Sequence, residues 1–167
     1  MLVAARNPCK CGYYGDSRHE CKCTPHEIDN YKKKLSGPIL DRIDIHIELN
    51  TIDYEQLTGK KTTSSNAMQR DISRVRLIQK NRYVEEKISY NSELGDNLLE
   101  KYCPLGENEK KLMKEAFSSL NLNPRTFAKI IKVARTISDL EASENIKQEH
   151  IAEALRYRSL NKIYERV

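Results

Sequence analysis

The sequence predicts an α+β chain: a strand-bearing N-terminal segment with a cysteine-rich insertion, followed by an all-helical subdomain. Three observations carry this. The apolar run Leu2-Val3-Ala4-Ala5 and the period-two alternation of Ile43-Asp44-Ile45-His46-Ile47-Glu48-Leu49 both suit strands. Between them, Cys9, Cys11, Cys21 and Cys23 form two Cys-x-Cys pairs. From Asn66 onward, apolar residues recur at spacings of three and four, the mark of amphipathic helix. Short helices after a strand-bearing segment predict a helical bundle attached to the edge of an α/β domain.

Composition bounds the function classes. The 167 residues allow one domain or one and a half. A formal charge of +5 permits contact with nucleic acid or nucleotide phosphates without demanding it. No run approaches the ~20 apolar residues of a membrane span, and no charged-then-apolar export signal opens the chain. The expected location is therefore the cytoplasm, where reduced thiols favour metal over disulfide. There is no Ser/His/Asp arrangement and no convincing carboxylate pair.

In order along the chain, Leu2–Ala5 reads as a strand that breaks at Asn7-Pro8, because proline cannot donate to a sheet ladder. The chain starts almost inside that strand, so Met1 is expected to be an internal methionine of a longer protein. The nine residues between the cysteine pairs include Gly12, Gly15 and Asp16, which suit a tight turn. Four thiolates brought together this way can close a tetrahedral zinc shell. Disulfides and a disordered polar loop are the competing readings, and His19 and His26 are possible substitute ligands. Cys103 stands alone and is expected to be a small buried hydrophobe.

Thr24-Pro25-His26-Glu27 is a capping box with proline at the first helical position, so a helix is predicted from Pro25 to about Lys34. Ser36-Gly37-Pro38 stops it, and Ile39–Arg42 reads as a single turn. Arg42 then sits at the mouth of the Ile43–Leu49 strand, with a surface ion pair as the plain alternative. Residues 51–65 read as a linker. Thr58-Gly59-Lys60-Lys61-Thr62 fails as a phosphate loop, because Tyr54 stands where a glycine is required.

The remainder reads as helix. Met68, Ile72, Val75 and Ile78 form the inner face of a helix over 66–84, with Arg70, Arg74, Arg76, Lys80 and Arg82 as an exposed basic stripe. Asp96 caps a short helix through Tyr102. Leu112, Met113, Ala116, Phe117 and Leu120 mark a helix over 107–120. Asn123-Pro124 opens a helix whose inner face is Phe127, Ile130, Ile131, Ala134 and Ile137. A last helix over 147–158 buries Ile151, Ala152 and Leu155. Arg125 leaves the second position of the Asn123-capped helix, where the helix end favours anions and a guanidinium reinforces phosphate binding. A salt bridge is the alternative there too.

With these pieces placed, almost the whole chain resembles the C-terminal part of the magnesium-chelatase-like AAA+ ATPases, the ComM/YifB family. The resemblance is carried by Ala4-Ala5-Arg6-Asn7-Pro8-Cys9-Lys10-Cys11-Gly12-Tyr13 and by Cys21-Lys22-Cys23-Thr24-Pro25. It continues in Leu35-Ser36-Gly37-Pro38-Ile39-Leu40-Asp41-Arg42-Ile43-Asp44 and in Lys132-Val133-Ala134-Arg135-Thr136-Ile137-Ser138-Asp139-Leu140. Arg6 stands where methionine is expected and Lys10 where proline is. The resemblance implies the last strands of an AAA+ core over 1–50 with a Cys-x-Cys insertion at 9–23, a helical lid over 66–160 and a tail over 161–167. It implies Asn7 as sensor 1, Arg42 as the arginine finger of a ring, expected to be a hexamer of identical subunits, and Arg125 as sensor 2. ATP and Mg²⁺ are the cofactors implied for the parent protein, with zinc as a candidate in this chain. The phosphate loop and acidic Mg²⁺-binding strand are expected upstream, so the chain alone should not hydrolyse ATP. DNA is the implied target, with Arg70, Arg74 and Lys80 as candidate contacts. The alternatives are a magnesium chelatase motor subunit and a zinc-stabilised helical binding module with no ATPase role.

Overall fold

The computed structural model describes residues 1–34, 37–49, 52–59 and 63–158. Two compact units meet in sequence at Gly59 and Lys60. No helix among the described residues is long and apolar enough to cross a membrane.

In the first unit, helix α1 spans Pro25–Lys33, α2 Gly37–Leu40 and α3 Tyr54–Thr58. The sequence dictates α1 locally. The Thr24 hydroxyl accepts from the Glu27 N–H, the Glu27 carboxylate accepts from the Thr24 N–H, and Lys32 and Lys33 close the last turn. Helix α3 falls within the segment expected to be a linker.

The two expected strands are not formed. Among the described residues there is no strand at all, and Leu2 and Val3 are 81% and 80% exposed. Over Ile43–Leu49 the expected alternation is not kept: Ile45, Ile47 and Leu49 are exposed along with Asp44 and Glu48, and His46 is buried. The physical reason is that a strand forms only against another strand, and no strand is present among the described residues. Among the described residues, the unit's buried apolar side chains are Cys9, Ile28 and Leu40.

The second unit is built differently. Helix α4 spans Ser65–Arg82, a 3₁₀ turn covers Asn91–Glu93, α5 spans Asp96–Tyr102, α6 Glu107–Ser119, α7 Pro124–Leu140 and α8 Gln148–Arg156. Helix α7 packs against α8, α4, α5 and the 3₁₀ turn. Its Ile130, Ile131, Ala134 and Ile137 form one core with Tyr83, Leu94, Cys103, Met113, Ile151 and Ala154. The lone Cys103 is thus a buried core thiol, as its isolation in sequence predicts.

Three details depart from the sequence pattern. In α4 only Val75 and Gln79 are buried, while Met68 and Ile72 are about half exposed, because only the C-terminal half of the helix meets the core. In α8 the buried partner of Ile151 is Ala154 rather than Ala152, which lies about 100° around the helix from the stripe. Gly95, not Asp96, is the N-cap of α5. The tail expected over 161–167 lies outside the described residues.

Candidate metal centre and nucleotide-contact residues

The cysteine loop folds as two consecutive tight turns. The Gly12 N–H donates to the Cys9 carbonyl at 3.2 Å and the Asp16 N–H to the Tyr13 carbonyl at 3.1 Å. Gly12 and Gly15 adopt φ of +90° and +85°, which glycine alone takes without strain. The Asp16 carboxylate accepts the N–H groups of Arg18 and His19 at 2.7 and 3.1 Å, an Asx turn that closes the tip.

These turns bring the four thiols together. Cys9 Sγ lies 3.4 Å from Cys11 Sγ and 3.7 Å from Cys21 Sγ, and Cys11 Sγ lies 3.6 Å from Cys21 Sγ. All four sulfurs, Cys23 included, fall within 4.8 Å of one another. A disulfide needs about 2.05 Å, so the disulfide alternative is not realised, and all five cysteines are free. A zinc tetrahedron with Zn–S bonds of about 2.3 Å has S···S edges of about 3.8 Å. The separations observed fit such a shell.

The electrostatics also suit a cation. The Tyr13 N–H aimed at the Cys11 sulfur pulls that thiol down to about 6 against the opposing effect of burial. The Cys23 N–H draws on Cys21, but burial and the neighbouring thiols outweigh it and push Cys21 up to about 12. One thiolate forms readily and opposes the next, a conflict that a divalent cation removes. The histidines take other roles: His19 stacks on Tyr13 with centroids 4.9 Å apart, and His26 bonds Asn30 at 3.0 Å.

The other candidate residues divide between the units. Asn7 is exposed two residues before Cys9, and a Cβ on Gly12 would lie 3.8 Å from its side-chain nitrogen. Arg42 is exposed and donates to the Pro38 carbonyl at 2.8 Å, folding over the turn that α2 makes. Arg125 is exposed at the second position of α7, beside the Asn123 side chain that accepts the Thr126 N–H at 2.9 Å. On α4, Arg70, Arg76 and Lys80 are exposed. Arg74 donates to the Leu140 carbonyl at 2.7 Å, at the C-terminus of α7. Arg82 leaves the expected stripe altogether and pairs with Asp139.

That pair belongs to a cluster that sequence patterning missed. The Asp139 carboxylate is fully buried and accepts from Arg82, from Arg135 Nε at 3.1 Å, from Asn91 Nδ2 at 2.9 Å and from Gln79 Nε2 at 3.3 Å. Arg135 also donates to the Ser143 and Glu144 carbonyls, each at 2.7 Å, holding the turn after α7. The available signal was the i, i+4 spacing of Arg135 and Asp139 on an otherwise apolar helix face.

A four-thiol loop joined in sequence to a helical subdomain is the class of protein that these residues define. Comparison with known proteins specifies it. The family described as magnesium chelatase, subunit ChlI C-terminal, matches residues 62–158, and the family described as magnesium chelatase, subunit ChlI, matches residues 1–57. The chain belongs to this magnesium-chelatase-like family, in its ComM/YifB branch. It is 33% identical to the competence protein ComM of Haemophilus influenzae over 100% of its own length and 32% of that protein's. It is 30% identical to the protein YifB of Salmonella typhimurium and 28% identical to that of Escherichia coli, over 98% of its length and 31% of theirs in each case. The chain thus spans about a third of the length of these relatives.

Proposed function

We propose that the chain supplies the C-terminal elements of a ring-forming AAA+ ATPase that acts on DNA. In this reading Asn7 orients the attacking water as sensor 1, Arg42 reaches a neighbouring subunit's ATP as the arginine finger, and Arg125 contacts the nucleotide as sensor 2. Phosphoryl transfer is catalysed mainly by positioning and by neutralising charge on the transferring group, which is what an asparagine and two guanidinium groups provide. The observation that carries the reading is Arg125. Its side chain is exposed at the second position of a capped helix, where N–H groups and guanidinium share one anion-binding end.

ATP and Mg²⁺ follow from the family. The strands absent among the described residues would form when Leu2–Ala5 and Ile43–Leu49 pair with a sheet supplied by the rest of an AAA+ core. Zinc is the ion we assign to Cys9, Cys11, Cys21 and Cys23: an all-sulfur tetrahedral set suits Zn²⁺, and its closed shell makes the role structural. Free thiols fit the cytoplasm. DNA as target rests on the family and on the exposed Arg70, Arg76 and Lys80. Arg74, engaged with Leu140, is the weakest of the proposed contacts.

The test has two arms. Alone, the purified chain turns over no ATP. Joined to the phosphate-loop segment that the family resemblance expects upstream, it does, and Arg42→Ala and Arg125→Ala each lower kcat at least about tenfold, with 10³-fold or more possible for a finger. Doping Arg42→Ala subunits into the unaltered ring depresses turnover more than in proportion. Full turnover in both variants overturns the assignment. A magnesium chelatase motor is the second reading, favoured by the descriptions of both matching families. A salt-sensitive DNA affinity speaks for the first reading, because phosphate neutralisation releases counterions.

A further inference from the structure

We infer that the tip of the cysteine loop is a stacking platform for single-stranded nucleic acid, with Tyr13 and Tyr14 taking bases and Lys10, Lys22 and Lys32 flanking the phosphate track. The inference rests on the DNA reading above and moves its principal contact from the α4 cations to the first unit.

Two adjacent tyrosines stand 43% and 44% exposed on a loop pinned at both ends by thiols. Exposed aromatic rings on a short polar loop are poor packing elements but good stacking surfaces, since every base has a π-face. The loop is ordered before any ligand arrives, through the two turns, the Asx turn of Asp16 and the thiol cluster. Little conformational freedom is therefore left to lose on binding. The His19 ring backs Tyr13, with the planes 29° apart. The Lys32 ammonium lies 5.0 Å from the Tyr14 ring centroid. A cation over one face of an exposed ring leaves the opposite face for a base and keeps a positive charge close to that base's phosphate.

The charge around the tip points the same way. Of the loop's two carboxylates, Asp16 is turned inward onto backbone N–H groups and Glu20 is exposed. Just beyond the loop, Glu27 closes the α1 capping box and lies 3.8 Å from Lys10 Nζ, an exposed pair that a phosphate would compete for. Lys10 and Lys22 are exposed on the loop, and Lys32 and Lys33 are the last residues of α1. The ligand is single-stranded because base faces are open to stacking only when unpaired, and a small tip offers no element that fills a duplex groove.

The experiment is fluorescence anisotropy of fluorescein-labelled dT12 titrated with the zinc-reconstituted chain, repeated with the same length of duplex. The expected result is dT12 binding tighter than duplex, with log K falling by about 0.7 per phosphate contacted for each tenfold rise in salt. Tyr13→Ala and Tyr14→Ala each weaken it by about 5- to 150-fold. Tyr13→Phe keeps the affinity, which separates stacking from folding, and Tyr90→Ala, an exposed tyrosine of the second unit, leaves it unchanged. The S→Co²⁺ charge-transfer band of each cobalt-substituted variant reports whether the thiol cluster still forms. Unaltered dT12 affinity in both alanine variants overturns the platform. If the affinity falls instead in Arg70→Ala and Lys80→Ala, the platform is wrong and the DNA reading stands. If neither dT12 nor duplex binds, both fall.

Discussion

Asp139 shows how one residue organises a helical subdomain. Its carboxylate is buried, which would raise its pKa. The hydrogen bond from Arg82 comes next in weight, and with those from Asn91 and the charges of Arg82 and Arg135 it reverses the shift, holding the group below its ordinary value of 3.8. Removing one partner of a buried pair leaves an uncompensated charge at a cost of about 3–5 kcal/mol. Asp139→Ala is therefore expected to lower the urea unfolding free energy of the second unit by about that much. The pH sign follows from the direction of the shift. A carboxyl depressed in the folded state adds stability that is fully present above its unfolded value and is lost as pH falls through the folded one. Unfolding titrations should show stability declining below about pH 4, with Asp139→Asn lacking that component.

At the scale of the element, α7 is the helix on which both the core and the candidate nucleotide contact depend. Its start is written locally: Asn123 caps it, Pro124 supplies the fixed φ of the first position, and Arg125 follows. Asn123→Ala should cost about 1 kcal/mol, which for a unit of this size is a Tm drop of about 4–8 °C by calorimetry. If Arg125 is sensor 2, the same change should weaken nucleotide binding in the complete site, because the capped end that carries the guanidinium frays. The cysteine loop is the opposite kind of element. Its turns are local, but its closure gathers four thiols from the two ends of the loop, the set to which zinc is assigned above.

For the whole molecule, the two units differ in what holds them together. The second has a continuous apolar core from Tyr83 to Ala154, whereas the first, among its described residues, buries Cys9, Ile28 and Leu40 and leaves Leu2, Val3, Ile47 and Leu49 largely exposed. With so little apolar burial among its described residues, the first unit is where the proposed zinc would act as a staple. The chain purified from zinc-containing medium should carry about one zinc by elemental analysis. Chelation should abolish hydrogen-exchange protection around α1 and the cysteine loop while leaving that of α7 and α8 intact. Retention of protection in the first unit after complete metal removal would sink the staple. Metal analysis well below one equivalent would remove the zinc assignment itself.

Sequence alone determined the elements whose information is local. The α1 capping box, the Asn123-Pro124 start of α7 and the helical periodicity from residue 66 onward are short-range chemistry, and each helix they predict is present. The four cysteines were likewise legible as a set, because Cys-x-Cys spacing around two glycines leaves few ways to arrange the thiols. Tertiary structure decided what depends on a partner distant in the chain. The alternation of Ile43–Leu49 is a strand pattern, yet a strand exists only where another strand accepts its hydrogen bonds. Arg82 reads as one more surface cation until Asp139, 57 residues away in sequence, is placed beside it. Met68 and Ile72 carry a core spacing but face outward, since periodicity states which side of a helix is apolar and not how far along its length the core extends.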